Sequence, residues 1–218
     1  MKAVVFDMDG VLFDTERLCM EGWSAVAKAQ GIDDMERVAT QCIGLNETDT
    51  RALVCKHYGK DFSYEVFRKQ VSVWFWKEIE KNGLPVKTGV RELLDFLKGA
   101  HYQIGLASST RQESVRKHLQ NAQIEEYFSV VITGDKVEHS KPEPDIYLLA
   151  CEGLQVEPAK AYAIEDSPNG IRSAYAAGMK PIMVPDLIKP DREMHKLSHV
   201  ILPDLQEVKR FLMDNGKR

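Results

Sequence analysis

Hydrophobic and polar positions form a short strand-like pattern near the start of the 218-residue chain. Residues 4–6 are apolar, Asp7 and Asp9 follow two positions apart, and Gly10 comes directly after them. A short apolar run that ends at a turn signal predicts a buried strand. Because side chains at i and i+2 on a strand share one face, we expect the two carboxylates to leave the strand end together. The alternative is an ordinary Asp-Gly turn after a strand.

Between residues 15 and 83 the apolar positions recur at steps of three and four, which predicts helices and no strand. The clearest stripe contains five apolar residues, Phe67, Val71, Trp74, Phe75 and Ile79. The aromatic residues at 74–76 could stack on a ligand. Aromatic side chains in a helical stripe more often fill a core, so we interpret them as core residues.

After Pro85 the pattern alternates between strands and helices. The predicted strands cover residues 103–107, 130–133, 161–164, 181–184 and 199–202. The predicted helices cover residues 90–98, 110–120, 145–153, 168–178 and 204–213. Two of these helices have specific start signals, since Ser167 precedes a proline at the first helical position and residues 110–113 fit a capping box that opens at Thr110.

Alternating strands and helices predict an α/β fold, a doubly wound parallel sheet of the Rossmann-like type with helices on both faces. The long helical stretch after the first strand interrupts that alternation and predicts an inserted α-helical cap domain. We place the sheet core at residues 1–14 and 84–218 and the cap at residues 15–83. Ligands bind beyond the carboxyl ends of the strands in such sheets, so we expect the cap to act as a lid.

Charge and composition argue against several classes of function. The net charge of −4 lacks the basic excess that a general nucleic-acid surface needs. No stretch approaches the roughly eighteen apolar residues of a membrane span, and no signal peptide is visible. The four cysteines form no C-x-x-C pair; they are Cys19, Cys42, Cys55 and Cys151. We therefore expect a cytoplasmic monomer with reduced cysteines, without zinc, and without nucleic-acid or membrane partners.

Polar residues follow four successive strands of the predicted sheet. They are Asp7 and Asp9, then Ser108, Ser109 and Thr110, then Lys141, and finally Glu165 and Asp166. Each group has an ordinary explanation: hydroxyl residues that cap a helix, a solvated surface lysine, or acidic residues near a helix N-terminus. Their joint occurrence at one edge of the sheet instead predicts a site for a phosphate group with Mg²⁺. The metal would offset the acidic charge, while the lysine and helix N–H groups would hold phosphoryl oxygens.

These residues lie in four segments that resemble those of the haloacid dehalogenase-like hydrolases. The likeness is to the branch with an α-helical cap, which includes β-phosphoglucomutase and small sugar phosphatases. The segments cover residues 6–16, 107–109, 140–147 and 164–170. They occur in the order that the family has, and the resemblance extends from residue 4 to about residue 184.

The resemblance implies an enzyme that hydrolyses a phosphomonoester with the help of Mg²⁺. Asp7 would be the nucleophile that forms an aspartyl-phosphate, and Asp9 would be the general acid that later activates water. The implied metal ligands are Asp7, the backbone carbonyl of Asp9, and Asp166, with Glu165 in or just behind that shell. The residues implied to hold the transferring phosphoryl group are Ser108, the Ser109 amide and Lys141.

Two departures from the family pattern bear on the substrate. The mutases carry a histidine where this chain has Cys19, and an arginine in the cap turn that corresponds to residues 44–47. That arginine binds the second phosphate of a bisphosphate, so its absence favours hydrolysis of a sugar phosphate or nucleoside monophosphate. In the same turn, Asn46 or Glu47 could face a neutral sugar hydroxyl; the alternative is an exposed position in the cap loop without a substrate contact. A β-phosphoglucomutase-type mutase and a catalytically idle binding protein are the alternatives.

Overall fold

The computed structural model describes residues 2–43, 47–59 and 61–215 of the chain. Its strands are β1 (Ala3–Phe6), β2 (Gln103–Ser108), β3 (Val130–Thr133), β4 (Ala161–Glu165), β5 (Lys180–Met183) and β6 (Val200–Ile201). Its α-helices are α1 (Thr15–Gln30), α2 (Met35–Cys42), α3 (Glu47–Tyr58), α4 (Tyr64–Asn82), α5 (Val90–Gly99), α6 (Gln112–Asn121), α7 (Asp145–Gly153), α8 (Pro168–Ala176), α9 (Met194–Leu197) and α10 (Leu205–Asn215). Short 3₁₀ turns cover Glu125–Tyr127, Gly134–Lys136 and Pro158–Lys160.

The six strands form one parallel sheet in the order β3-β2-β1-β4-β5-β6. All four residues of β1 are buried, which explains its continuous apolar run, since both faces of a parallel sheet are covered. Successive strands are added on one side of β1 up to β3 and on its other side from β4 onward, so β1 pairs with both β2 and β4. The predicted α/β, doubly wound parallel sheet is therefore confirmed. Ligands bind where the strand order reverses in this way, here at the carboxyl ends of β1 and β4.

Side chains on alternate faces of β1 enter different parts of the core. Ala3 and Val5 belong to a buried cluster that includes Ile146 and Ala150 of α7 and Ala174 of α8. The intervening β1 residues face the opposite side and are also fully buried. Helices therefore cover both faces of the central strand, and its carboxyl end remains as the part that can carry polar chemistry.

The chain separates into two compact units, which we call the sheet unit (residues 1–13 and 86–218) and the helical unit (residues 14–85). These bounds differ by one or two residues from those predicted for the core and the cap. Within the described residues of the helical unit the chain forms only the helices α1 to α4. An apolar cluster joins these helices; its buried members include Trp23, Val38, Val54, Phe67 and Val71. Of the aromatic residues at 74–76 that were interpreted as core, Trp74 packs against this cluster, whereas Phe75 and Trp76 are half-buried and do not belong to it.

The two predicted helix starts have different outcomes. The Ser167 Oγ accepts a hydrogen bond from the Gly170 amide at 3.1 Å, so the predicted N-cap of α8 is confirmed. The capping box predicted at Thr110 is wrong, because α6 begins at Gln112 and its N-cap residue, Arg111, makes no side-chain capping bond. The α6 N-terminus is bound instead by Asp135, whose Oδ1 accepts from the Gln112 amide at 3.1 Å.

The four cysteines lie in two kinds of environment. All four cysteines are free, with Cys42 and Cys151 buried and Cys19 and Cys55 half-buried. Among the residues described by the structure, no helix combines the length and the apolar character that crossing a membrane requires.

Candidate active site

The strand register brings several chemistry-bearing residues to one edge of the sheet. Phe6, the last residue of β1, lies opposite Ile164 of β4. The Asp7 amide extends this pairing by donating to the Ile164 carbonyl oxygen at 2.9 Å. Glu165 is the next residue of β4, and Ser108 ends the neighbouring strand β2. Because parallel strands end at the same edge, Asp7, Glu165 and Ser108 all lie at that edge.

Lys141 lies at the centre of this edge. Its Nζ donates to Asp7 Oδ1 at 2.5 Å, to Glu165 Oε1 at 2.7 Å and to the Ala107 carbonyl oxygen at 3.0 Å. These three acceptors, from residues at the ends of β1, β4 and β2, match the three protons of an ammonium group. Only 7 % of the Lys141 side chain is exposed. The alternative of a solvated surface lysine is therefore wrong.

Burial and neighbouring charges set the protonation states of Asp7 and Lys141. Burial raises the pKa of Asp7 well above its usual value, the Lys141 ammonium opposes that shift, and the carboxylates of Glu165 and Asp9 add to it. Burial alone would lower the pKa of Lys141, but the charges of Asp7 and Glu165 more than offset it and raise that pKa. Lys141 therefore stays charged at neutral pH, whereas full ionisation of Asp7 calls for a further cation.

Glu165 is fully buried, and hydrogen-bond donors surround its carboxylate. Oε1 accepts from Lys141 Nζ and from the Tyr147 hydroxyl, each at 2.7 Å. Oε2 accepts from the Ser167 hydroxyl at 3.1 Å and from its amide at 3.3 Å. A Cβ atom at Gly170 would lie 1.9 Å from Glu165 Cδ, so only glycine fits that position in α8. Glu165 thus links Lys141 to the start of α8.

Three carboxylates at this edge could hold a metal ion. Oxygen atoms of Asp7, Glu165 and Asp166 lie within 4.8 Å of one another, and all three residues are buried. Gly10 lies directly beside them with φ of 80°, and a Cβ atom there would come within 2.3 Å of Asp166 Oδ2. Buried carboxylate oxygens without sulfur or imidazole ligands suit a hard cation such as Mg²⁺. The residues present therefore fit the predicted metal.

Asp9 has a different partner from Asp7. Its Oδ2 accepts a hydrogen bond from the Thr110 hydroxyl at 2.8 Å. The same threonine was predicted to cap α6; in the structure its hydroxyl donates to Asp9 instead. His118 of α6 also lies near this acid; burial lowers the pKa of its imidazole, and the Asp9 charge opposes that shift.

The two serines after β2 occupy unlike environments. Ser108 is fully buried, and its Oγ accepts from the Thr110 amide at 3.1 Å, whereas Ser109 is exposed. The expectation that Ser108, Ser109 and Thr110 stand directly at a helix N-terminus is wrong, because α6 begins two residues after Thr110. An anion here would meet the loop amides and the hydroxyls rather than the first turn of the helix.

The predicted substrate-binding residue of the cap, Asn46, lies outside the described residues. Glu47, the next residue, is exposed at the start of α3. Cys19, which stands where the mutases have histidine, is half-buried and packs against the apolar cluster of the helical unit. The identification of cap residues with substrate contacts therefore stays a prediction.

Two residues near the site were given no role in the sequence analysis. Tyr147 lies within one of the resembling segments, but nothing in the sequence pairs it with Glu165, which is 18 residues further along the chain. His118 is 109 positions from Asp9 along the chain, and nothing in the sequence pairs these two residues. Both contacts depend on how helices dock against the sheet, for which the local pattern contains no signal.

Comparison with known proteins identifies the family. A model of the haloacid dehalogenase-like hydrolases matches residues 4–184. A phosphorylated carbohydrates phosphatase of Thermotoga maritima is 37% identical over 182 residues, which cover 84% of each chain. The β-phosphoglucomutase of Bacillus subtilis is 31% identical over 188 residues, which cover 82% of this chain and 81% of that one.

A solved structure agrees with the sequence comparisons. The crystal structure of a Thermotoga maritima protein, provisionally assigned as a β-phosphoglucomutase, superposes with a TM-score of 0.82 at 32% identity. The match covers 98% of this chain and 99% of that one. The family match, the identity to these relatives and the shared fold together show that this chain belongs to the haloacid dehalogenase-like hydrolases.

Proposed function

We propose that the protein is a Mg²⁺-dependent phosphatase that hydrolyses a small phosphorylated metabolite through an aspartyl-phosphate intermediate. The class of enzyme, a phosphomonoester hydrolase, follows from the family and from the relatives; the proposal concerns the mechanism, the metal and the substrate. The observation that carries it is the buried ammonium of Lys141 between the Asp7 and Glu165 carboxylates, with Asp166 beside them. The substrate class is a sugar phosphate or a nucleoside monophosphate.

In the first step Asp7 attacks phosphorus. Lys141 binds Asp7 Oδ1 and so orients the carboxylate, while its positive charge balances charge on the phosphoryl oxygens. An Asp7 oxygen–phosphorus bond forms and the ester phosphorus–oxygen bond breaks. Asp9 donates its proton to the leaving oxygen, and Thr110 holds the other oxygen of that carboxyl group.

In the second step water releases phosphate. Asp9, now ionised, takes a proton from a water molecule, which attacks phosphorus and displaces the Asp7 carboxylate. Inorganic phosphate leaves, and Asp7 and protonated Asp9 are restored. Ser108, the Ser109 amide and Lys141 are the groups proposed to hold the phosphoryl oxygens during both steps.

Mg²⁺ would be held by Asp7, Asp166 and the Asp9 carbonyl, where it would neutralise charge on the carboxylates and on the phosphoryl group. The four hydrogen-bond donors on Glu165 support a position just behind the metal ligands for that residue, within the set of metal-binding residues that the sequence suggested.

The alternative is a β-phosphoglucomutase-type mutase, which the Bacillus subtilis relative favours. The missing cation in residues 44–47 and the presence of Cys19 favour hydrolysis. A hexose 1-phosphate distinguishes the two reactions, because a mutase converts it to the 6-phosphate with little free phosphate. Phosphorus NMR of the products measures both outcomes in one sample. A catalytically idle binding protein does not agree with relatives that are enzymes.

The test is a phosphate-release screen over a panel of metabolites, with Mg²⁺ and with the metal removed by a chelator. We expect release from at least one small phosphate ester with Mg²⁺ and none without it. Asp7→Asn is the matched control, and it should lower turnover at least about 10⁴-fold while the melting temperature stays within a few degrees. Turnover that survives Asp7→Asn would remove Asp7 from the role of nucleophile.

The proposal also takes the enzyme as a cytoplasmic monomer that binds no nucleic acid or membrane. The net charge of −4 supports the absence of a nucleic-acid surface. Light scattering should then give a mass near the 24.7 kDa of one chain. A mass of twice that value would contradict the monomer.

A further inference from the structure

A buried tyrosine contacts both partners of the ion pair between Lys141 and Glu165. Tyr147 lies in the first turn of α7 and is fully buried. Its hydroxyl donates to Glu165 Oε1 at 2.7 Å, the same oxygen that accepts from Lys141. Lys141 Nζ lies over the Tyr147 ring, 5.1 Å from the ring centroid. The tyrosine therefore meets the carboxylate through a hydrogen bond and the ammonium through a cation–π contact.

The hydroxyl can act here only as a donor to Glu165. Burial and the Glu165 charge raise the pKa of Tyr147 well above its usual range, so the phenol keeps its proton. Ser167 holds Oε2 of the same carboxylate. The tyrosine on one oxygen and the serine on the other hold Glu165 in place, and its Oε1 is one of the three acceptors that position the Lys141 ammonium.

We propose that Tyr147 is a positioning residue for Lys141: its hydroxyl fixes Glu165, and Glu165 in turn holds the ammonium against Asp7. The inference rests on the proposed function, in which Lys141 stabilises charge on the transferring phosphoryl group. A misplaced ammonium should reduce stabilisation of the transition state more than binding of the substrate, because the charge that it stabilises develops during phosphoryl transfer. Tyr147 touches neither the substrate nor the metal in this scheme.

Tyr147→Phe tests the proposal, since it removes the hydroxyl and keeps the ring over Lys141. We expect kcat for an aryl phosphate to fall about tenfold and KM to stay within about twofold of wild type. A tenfold loss is what removal of one hydrogen bond to a buried charge should cause. The matched control is Tyr162→Phe, whose ring also lies near a lysine, with Lys180 Nζ 5.5 Å from its centroid. Tyr162 of β4 is not part of the proposed site, and its variant should keep the wild-type kcat.

A double-mutant cycle shows whether the hydroxyl acts through Lys141. Lys141→Ala alone should lower kcat about 10³-fold, and Tyr147→Phe in that background should cost no more than about twofold further. A tenfold loss that persists in the Lys141→Ala background would overturn the proposal. So would a Tyr147→Phe variant that matches both wild type and Tyr162→Phe.

A binding measurement separates this proposal from the proposed function. Orthovanadate adopts the five-coordinate geometry of a transferring phosphoryl group, so its calorimetric affinity does not depend on turnover. With Mg²⁺ present, Tyr147→Phe should weaken vanadate binding about tenfold and leave Mg²⁺ affinity within about twofold. Unchanged vanadate affinity, or a tenfold loss of Mg²⁺ affinity, would overturn the role for Tyr147. A wild-type protein that binds vanadate but hydrolyses no ester would instead count against the proposed function.

Discussion

The sheet unit and the helical unit are stabilised by different kinds of interaction. At the carboxyl edge of the sheet, buried polar groups have specific partners, as in the contacts of Lys141 with Asp7 and Glu165. The interior of the helical unit is apolar, with aromatic contacts such as Trp23 against Phe67, whose ring centroids are 5.4 Å apart. Ion pairs of the helical unit lie on its exposed surface; Arg37 with Asp34 is one example.

This difference predicts how each unit tolerates change. A buried polar network fails when one member is lost, because the remaining charges or hydrogen-bonding groups are left without partners. Apolar packing depends on volume and adapts to substitutions of similar size, and exposed ion pairs contribute little. The polar edge of the sheet unit should therefore be sensitive in both activity and stability, and the apolar interior of the helical unit in stability alone, with effects that follow side-chain volume.

The largest effect should come from replacing Lys141 by methionine. Two buried carboxylates lose their cation, which should cost about 3–5 kcal/mol of unfolding free energy without metal, and kcat should fall about 10³-fold. Chemical denaturation and phosphate release measure the two effects. Lys160→Met is the matched control, because Lys160 pairs with Glu157 on the exposed surface. Equal stability losses in both variants would contradict the contrast between buried and exposed pairs.

Gly170→Ala should give the next largest effect. The added methyl would lie 1.9 Å from Glu165, so the carboxylate must leave its donors. We expect a loss of about 2–3 kcal/mol and a decrease in kcat of about 10²-fold. Gly99→Ala in α5 is the control, since no atom lies within 4 Å of its added Cβ, and helix propensity alone should make it neutral or slightly stabilising. A fully active Gly170→Ala enzyme would show that Glu165 can move without consequence.

Phe67→Leu should separate stability from activity in the helical unit. Phe67 is 2% exposed and contacts the rings of Trp23 and Phe62. The smaller side chain should cost about 1–2 kcal/mol in denaturant unfolding and leave kcat for an aryl phosphate within about twofold. If kcat fell as steeply as in Gly170→Ala, the helical unit would share the sensitivity of the sheet edge.

The smallest effect should come from Tyr64→Phe. Tyr64 is 2% exposed, and within the part of the chain that the structure describes its hydroxyl has no hydrogen-bond partner. Burial raises its pKa to about 12. Removing a hydroxyl that lacks a partner should leave the unfolding free energy unchanged or raise it by up to about 1 kcal/mol. Destabilisation as large as that of Phe67→Leu would contradict this account of an interior without specific polar contacts.

Local pattern predicted the elements well because each depends on nearby residues. The continuous apolar run of β1, the Ser167-Pro168 start of α8 and the three- and four-residue steps of α4 all reflect burial or capping within a few positions. The start of α6 shows where this reasoning fails. Thr110 has the right spacing for a capping box, but α6 begins two residues later and the Thr110 hydroxyl donates to Asp9, which is 101 residues away.

The sequence by itself determined the α/β sheet, the polar residues that follow its strands and the resemblance to one family. Periodicity and short segments contain that information, because a strand, a cap and a motif are each local. Only the tertiary structure decided that Lys141 lies between Asp7 and Glu165, that Thr110 binds Asp9 and that Tyr147 holds Glu165. Those contacts join residues from separate strands and helices, so they exist only once strand register and helix packing have brought them within hydrogen-bonding distance.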